Sequence, residues 1–309
     1  MTIFTPELET QLKSCVRIAQ RLGGGLLAFD PAKLPAGGTE ITGLRDYSTG
    51  DEPWRIDWGV CARHDELRVR VYGGNAQRNA YLLLDTSYGM CFRPSKLLAA
   101  KQAAAVLAYG LLATGALLEF GTFMPDFALY PVLSHEQKTG RFLRFLEEME
   151  LSQDPNITDF AFLARSFVEQ KRPAGEVFVL SDFFGESDSF EKDFKAGFEL
   201  LQQAGYDVRA VHLEDPTERA EGLVGDVDIY DPSRDYRQII TLTEHDLAVY
   251  QRLYDEYLAS VKAFFEKHEI PSTRVQVTED VSALCLAALG LPENAAEVNP
   301  WEEFLAEKS

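Results

Sequence analysis

The sequence predicts an α/β fold in which a largely parallel sheet is covered by helices on both faces. From residue 79 onward, short apolar runs without alternation are separated by longer segments with helical spacing, which is typical of buried parallel strands and their connecting helices. The chain is also long and apolar enough to bury a large core, with 309 residues of which 46% are hydrophobic. We therefore expect one α/β domain with additional segments at its ends.

The first 78 residues differ from the rest in the pattern of their apolar and charged residues. Residues 6–22 are predicted to form a helix, because apolar residues recur there at helical spacing and three glycines follow. The block 43–58 interleaves charged and aromatic residues without a clean period of either kind. Residues 67–72 alternate between apolar and polar, which indicates a half-exposed strand.

The elements of the α/β part follow from its apolar runs and from the residues that end them. The first buried run stops at Asp85 and the next stops at Asp182. Sheet strands are predicted at 81–84, 117–123, 127–132, 176–181, 207–213 and 273–277, the second and third forming an edge hairpin. Helices are predicted at 95–113, 139–149, 159–170, 190–204, 244–267 and 281–289, with a small peripheral hairpin at 225–230 and 238–242.

These elements divide the chain into three parts. Residues 1–78 form an N-terminal extension, 79–290 form the α/β domain, and 291–309 form an acidic C-terminal tail. In the tail, Trp301 and Phe304 share one face of a predicted terminal helix that begins near Pro300. We expect this helix to fold back on its own domain, and the alternative is a docking peptide.

Composition excludes several classes of function. The chain has 30 Lys and Arg against 49 Asp and Glu, and its formal charge of −19 would repel nucleic acids and anionic membrane surfaces. The longest apolar-rich stretch, 97–118, is interrupted by polar residues and glycines, so no membrane insertion is expected. Four widely separated cysteines and the polar start of the chain indicate a cytoplasmic location.

Two acids at strand ends are the first candidate site residues. The carboxyl ends of parallel strands lie at one edge of a sheet, where ligands collect, so Asp85 and Asp182 are expected to lie there together with the hydroxyl of Ser87. Carboxylates and hydroxyls form a hard oxygen site that suits Mg²⁺. The alternative is that both acids only cap helices or stabilise turns.

A family resemblance makes this site more specific. The run LLLDTSYGM at 82–90 resembles the Asp-x-Ser-x-Ser opening of a von Willebrand factor A domain, which has a Rossmann-like sheet and a metal-ion-dependent adhesion site. The resemblance implies that Asp85, Ser87, Thr158 and Asp182 hold the metal ion. Gly89 stands where the second serine would coordinate, so we expect a degenerate site that binds Mg²⁺, or another divalent ion, weakly.

Other segments are similar to the DUF58 family, whose members are built on this type of domain. The likeness lies in the block 44–63 and in the segments 215–219 and 225–227. It implies a partner, a MoxR-type AAA+ ATPase, and a role as an adaptor in the maturation or assembly of other proteins.

The charged and aromatic block of the extension allows two interpretations. Its main members are Arg45, Asp51, Arg55, Asp57 and Trp58. Arginine pairs readily with carboxylates and stacks on rings, so a structural network is the first expectation. Because arginine and aromatic residues also anchor interfaces, the alternative is that the block is a partner-binding surface.

Together these features predict a non-enzymatic protein–protein interaction module. No catalytic residues are assigned, since no nucleophile with a matching base is apparent in the sequence. Two alternatives remain open: a metal-dependent hydrolase that activates water, and a structural protein with a vestigial metal site.

Overall fold

The protein is described from a computed structural model. The structure describes residues 4–28, 41–47, 56–64, 67–72, 78–130, 139–149, 157–186, 189–231 and 236–296. The chain forms two compact units, the larger made of Met1–Phe29 with Asn79–Ser309 and the smaller of Asp30–Arg78. The larger unit thus includes the first helix, which the division of the sequence placed in the N-terminal extension.

The helices and strands are numbered here along the chain. The helices are α1 (Pro6–Arg21), α2 (Trp58–His64), α3 (Tyr88–Cys91), α4 (Pro94–Ala113), α5 (Thr139–Glu148), α6 (Phe160–Glu169), α7 (Phe190–Gln203), α8 (Glu244–Lys267) and α9 (Val281–Ala288). The strands are β1 (Ile41–Asp46), β2 (Arg68–Tyr72), β3 (Asn79–Asp85), β4 (Leu117–Phe123), β5 (Ala128–Leu129), β6 (Glu176–Ser181), β7 (Asp207–Glu214), β8 (Gly225–Asp231), β9 (Tyr236–Leu242) and β10 (Ser272–Gln276).

A six-stranded sheet forms the centre of the larger unit. Its strand order is β10-β7-β6-β3-β4-β5, and every neighbouring pair is parallel except β4 and β5. The chain moves outward from β3 to β5 and then returns to β6 on the other side of β3. The strand order therefore reverses between β3 and β6, and a crevice is expected at their carboxyl ends. The predicted α/β fold with an antiparallel edge hairpin is confirmed.

Helices cover both faces of this sheet, and successive residues of each strand point to opposite layers. Leu82 and Leu84 of β3 pack with α1, α4, α5 and α9, whereas Tyr81 and Leu83 pack with α6, α7 and α8. Because both faces are buried there, the middles of the central strands β3 and β6 are continuous apolar runs. The second layer is rich in phenylalanine, and Phe183 lies at its centre, in edge or tilted contact with several other rings.

The N-terminal helix belongs to the larger unit because its apolar face is buried there. Leu12 and Cys15 join the core formed with α4 and α9. After the helix, the N–H of Leu26 donates to the carbonyl oxygen of Leu289 at 2.7 Å, and the guanidinium of Arg209 donates to the carbonyl of Leu26. The segment after α1 is therefore held by two contacts: with Leu289 at the end of α9 and with Arg209 on β7.

Helix α4 is long and apolar enough to cross a membrane by length and composition. Its most apolar 18-residue window has a mean hydropathy of 1.3, and 83% of that window is buried inside the protein. Of the described helices, no other passes the same test. A buried core helix gives this signal as readily as a membrane span.

The smaller unit contains β1, β2 and α2. Strands β1 and β2 are antiparallel, and Ile56 forms an isolated bridge to Val69, both side chains being buried. The sequence indicated β2 but showed no period for β1 or α2. Pairing with β2 explains β1, since a strand with little intrinsic pattern forms when a partner strand supplies its hydrogen bonds.

A separate two-stranded hairpin, β8 with β9, confirms the predicted peripheral hairpin. Its side chains are largely exposed, and Ile239 is 71% exposed. Arg237 forms a bidentate contact with Asp228 across the two strands, Nε donating to Oδ1 and Nη2 to Oδ2.

Candidate functional site

Asp85 is the centre of the polar cluster at the carboxyl edge of the sheet. It is the last residue of β3 and is fully buried. Its Oδ2 accepts hydrogen bonds from the hydroxyl of Thr158 at 2.9 Å and from that of Ser181 at 2.6 Å. Its Oδ1 accepts the backbone N–H of Ser87 at 2.8 Å. Both carboxylate oxygens are therefore engaged by donors from three different segments.

The environment of Asp85 also changes its protonation. Burial and, to a smaller extent, the nearby negative charge of Asp182 raise the pKa of Asp85 to about 6, although the hydrogen bonds from Ser181, Ser87 and Thr158 act in the opposite direction. The hydrogen-bond donors thus compensate only part of the desolvation of this carboxylate.

Asp182 follows β6 and is paired with a buried lysine. Its Oδ2 lies 2.6 Å from Nζ of Lys96, and its Oδ1 accepts the backbone N–H of Phe184 at 3.1 Å. Lys96 lies in the first turn of α4, and its Nζ is also 2.6 Å from Oε1 of Glu218. Burial alone would lower the pKa of Lys96, but the charges and hydrogen bonds of the two carboxylates raise it above its usual value.

Glu218 joins this cluster from the 3₁₀ helix that follows β7. That helix, Pro216–Arg219, begins at Asp215, whose side chain accepts the N–H of Thr217 at 2.9 Å. The second oxygen of Glu218 accepts the hydroxyl of Tyr254 on α8 at 3.4 Å. Both oxygens of Glu218 therefore have partners, and the acid connects the end of β7 to α4 and α8.

Local capping positions the threonine of the cluster. The side chain of Asp159 accepts the N–H of Phe162 at 2.7 Å and caps α6. This cap fixes the backbone immediately after Thr158. The hydroxyl of Thr158 thereby points toward Asp85.

A cavity of about 410 Å³ opens above these residues. Ser87, Gly89, Thr158, Asp182 and Glu218 are among the residues that line it. The remaining lining residues are aromatic, charged or apolar: Tyr88, Phe92, Arg93, Ile157, Phe184, Gly185, Tyr230 and Asp231. Phe92 and Tyr230 are 59% and 57% exposed, so two aromatic rings lie open to solvent beside a charged floor.

The structure brings together the four residues that the sequence assigned to a metal site. Asp85 contacts Thr158 directly, and Ser87, Thr158 and Asp182 line one cavity. Their convergence at the carboxyl edge, expected from the strand ends, is confirmed. Their role as metal ligands stays a prediction.

The cluster has the oxygen donors that a hard cation prefers, but two of its carboxylates are already paired with a lysine. Hydroxyl and carboxylate oxygens converge as Mg²⁺ prefers. However, the ammonium of Lys96 already contacts Asp182 and Glu218, and both oxygens of Asp85 accept hydrogen bonds. In the described part of the chain, no three His, Cys, Asp or Glu side chains form a group that could hold a metal ion. The residues present therefore do not fit a resident divalent ion.

Sequence reasoning missed Lys96 and Glu218. Glu218 is 122 positions from Lys96, so no local pattern connects them. A signal was nevertheless present in α4, because a lysine in the first turn of an apolar helix lies at the positive end of the helix dipole. Such a cation is expected to have an acidic partner.

The candidate partner-binding residues of the smaller unit are only partly described. Asp51 and Arg55 lie outside the described residues, and only the backbone of Arg45 is described, in β1. Asp57 accepts the N–H of Val60 at 3.1 Å and thereby stabilises the start of α2. Trp58 is 62% exposed. Asp57 thus has a structural contact, while Trp58 presents a large apolar surface to solvent.

The fold and the site together define the class of the protein. The protein is a Rossmann-like α/β domain, consistent with the von Willebrand factor A type. This class is indicated by the reversal of strand order beside β3, by the helices on both faces of the sheet and by the polar cluster at its carboxyl edge. The chain belongs to the DUF58 family, described as a protein of unknown function, whose profile matches residues 43–259.

A curated relative and several solved structures are similar to this chain. The chain is 26% identical over 237 residues to the uncharacterized protein Rv1480 of Mycobacterium tuberculosis, covering 74% of this chain and 72% of that protein. BatB, a conserved hypothetical protein of Bacteroides thetaiotaomicron, is 14% identical with a TM-score of 0.36, covering 72% of this chain and 100% of that chain.

Two further structures show similarity at the same level. An aerotolerance-related membrane protein of Bacteroides fragilis is 15% identical with a TM-score of 0.34, covering 72% of this chain and 100% of that chain. Proximal thread matrix protein 1 of the mussel byssus is 11% identical with a TM-score of 0.35, covering 44% of this chain and 38% of that chain.

Proposed function

We propose that this chain is a cytoplasmic protein-binding module with no reaction of its own, and that it binds its partner at the carboxyl edge of the sheet. The observation that carries the proposal is the cavity there, where exposed aromatic rings surround a charged floor. Aromatic residues that a partner can bury are frequent anchors of protein interfaces. Phe92 and Tyr230 are the anchors that we assign.

The state of the floor residues favours binding over catalysis. A general base or nucleophile needs a side chain that is free to accept a proton or attack. Asp85, Asp182 and Glu218 each have both carboxylate oxygens engaged. No histidine or cysteine is among the described residues that line the cavity. The cluster thus acts as a rigid base for a binding surface.

The finer identity follows from the family resemblance. As a DUF58 protein with a von Willebrand factor A-like domain and a degenerate adhesion site, the chain is proposed to work as an adaptor with a MoxR-type AAA+ ATPase in the maturation or assembly of other proteins. Any magnesium binding by the degenerate site would be weak. Trp58 of the smaller unit is proposed as a second contact for the partner, because it is 62% exposed.

Charge is expected to control how fast the complex forms. The formal charge of −19 attracts a basic surface on the partner, and salt screens this attraction beyond about 8 Å at physiological ionic strength. The association rate should therefore fall as salt increases, while contacts in the cavity determine the dissociation rate.

Replacing Phe92 with Ala is expected to weaken binding to the MoxR-type ATPase of the same organism by about tenfold or more, because an anchor ring at the cavity is lost. The measurement is the dissociation constant of the purified proteins by calorimetry or interferometry. Leu253→Ala is the matched control, since Leu253 is 54% exposed on α8 and does not line this cavity.

Three results would contradict the proposal. Equal loss of affinity in both variants would show a non-specific effect, and unchanged affinity in Phe92→Ala would place the interface elsewhere. Turnover of a phosphoester or peptide by the purified protein, abolished by Asp182→Ala, would instead establish the hydrolase alternative.

A further inference from the structure

The ammonium group of Lys96 lies between two carboxylates of the candidate site. Nζ of Lys96 is 2.6 Å from a carboxylate oxygen of Asp182 and 2.6 Å from one of Glu218. The Lys96 side chain is 1% exposed, and its Nζ is 5.9 Å from the centre of the Phe184 ring. This cation is therefore enclosed by two acids and an aromatic ring.

We propose that Lys96 is the resident cation of this site and takes the place of a divalent metal ion, so that the binding edge keeps its form without metal. Asp182 is the residue whose carboxylate a metal-ion-dependent adhesion site would use. In this protein that carboxylate is neutralised from within the chain, by a helix that packs against the sheet.

Electrostatics explains why lysine and a divalent ion exclude each other here. An ion bound by Asp182 would lie beside an ammonium that shares the same carboxylate, and two cations repel strongly where water is excluded. Lys96 has little freedom to withdraw, because its side chain is buried and is held by two carboxylates, Asp182 after β6 and Glu218 in the 3₁₀ helix. The second acid, Glu218, also has its other oxygen bonded to Tyr254.

A competing explanation for weak metal binding is the missing serine at Gly89. A Cβ placed at Gly89 would be 3.4 Å from Oδ2 of Asp182, an ordinary contact distance, so the backbone there has room for the Cβ of a serine. The sequence pattern attributes the weak binding to this position. The geometry instead points to Lys96, and the two explanations predict different results.

The inference rests on the proposed function only in taking this edge as the binding site, and its test needs no partner. Lys96→Met is expected to tighten Mg²⁺ binding by at least about tenfold over the unaltered protein, because two carboxylates lose their cation. The measurement is calorimetric titration with MgCl₂. Lys101→Met is the matched control, since Lys101 is also buried on α4 but its Nζ donates to the carbonyl of Met149.

A second measurement keeps the test decisive if the variant is unstable. Lys96→Gln, which retains an N–H donor, and Lys96→Met should both melt at lower temperature than the unaltered protein. About 10 mM MgCl₂ should restore much of the loss in each, because ligands that bind the folded state stabilise it. Circular dichroism monitors folding throughout, and a variant that folds only with magnesium would also support the proposal.

Two outcomes would overturn it. The first is a pair of Lys96 variants that gain neither affinity for magnesium nor thermal protection by it. The second is tight magnesium binding by Gly89→Ser with Lys96 still present, which would assign the effect to the missing serine. Since partner binding is not measured, either outcome leaves the proposed protein-binding function to be judged by the Phe92 experiment.

Discussion

Replacing Glu176 with Ala is expected to lower the free energy of unfolding by about 3 kcal/mol, because it removes the carboxylate that faces a buried guanidinium. Glu176 is fully buried at the start of β6, and its Oε1 lies 2.7 Å from Nη2 of Arg209 on β7. Arg209 is 4% exposed and also binds Asp207 and the carbonyl of Leu26. Loss of Glu176 leaves this charge only partly compensated.

Thermal melting checks this result. A loss of about 3 kcal/mol in a domain of this size corresponds to a decrease of roughly 6–12 °C in melting temperature. Asp228→Ala is the matched control, because it breaks an Arg–carboxylate pair that is exposed to solvent in the β8–β9 hairpin. The control should melt as the unaltered protein does, since exposed pairs contribute little. Equal melting of Glu176→Ala and the control would show that the buried pair does not stabilise the sheet.

Between pH 7 and pH 5 the protein is expected to lose about 2 kcal/mol of stability through His212 alone. His212 lies on β7, is 7% exposed, and its Nε2 has no hydrogen-bond partner among the described residues. Burial lowers the pKa of His212 from 6.5 to about 4. The folded protein therefore keeps this imidazole neutral under conditions in which the unfolded chain protonates it.

The sign follows from proton binding. Below pH 6.5 the unfolded state binds a proton that the folded state does not, so stability falls as the pH decreases and the loss is complete below about pH 4. Above pH 6.5 the contribution is fully present. Asp85, with its pKa raised to about 6, acts in the opposite direction between its ordinary value and pH 6.

A single substitution separates the two contributions. His212→Phe removes the titrating group and places a ring beside Phe183, whose centre is 5.8 Å from the imidazole. Both proteins retain Asp85, so the difference between their denaturant unfolding curves at pH 7 and pH 5 reports His212. The variant should gain about 2 kcal/mol on the unaltered protein over this interval. Parallel pH profiles would show that His212 titrates alike in the folded and unfolded states.

The sequence allowed the sheet and four residues of the candidate site to be predicted. Strand ends are marked locally, because an apolar run stops at an acid, and parallel strands bring such ends to one edge. Asp85, Ser87 and Asp182 were found in this way, and the family motif added Thr158. The motif also put Gly89 at the position of a second coordinating serine, and in the structure a Cβ at Gly89 would be 3.4 Å from Oδ2 of Asp182.

The remaining features depend on contacts between distant parts of the chain. Lys96 reaches Glu218 across 122 positions, and Arg209 reaches Leu26 across 183. Neither contact produces a periodic pattern in the sequence, because each depends on how whole helices and strands pack against one another. The same limit applies to β1, whose pairing with β2 is a tertiary event.

The exposed β8–β9 hairpin also bears on the solubility of the protein. Within the part of the chain that the structure describes, it is a two-stranded sheet, so each strand has an outer edge available for pairing with another molecule. Its apolar side chains, such as Ile239 and Tyr236, would favour such aggregation. Asp226 and Asp228 alternate with apolar residues along β8 and Asp231 ends the strand, and charged side chains on an exposed strand oppose pairing with a second copy. The acidity of this hairpin thus protects an exposed strand pair from self-association at high concentration.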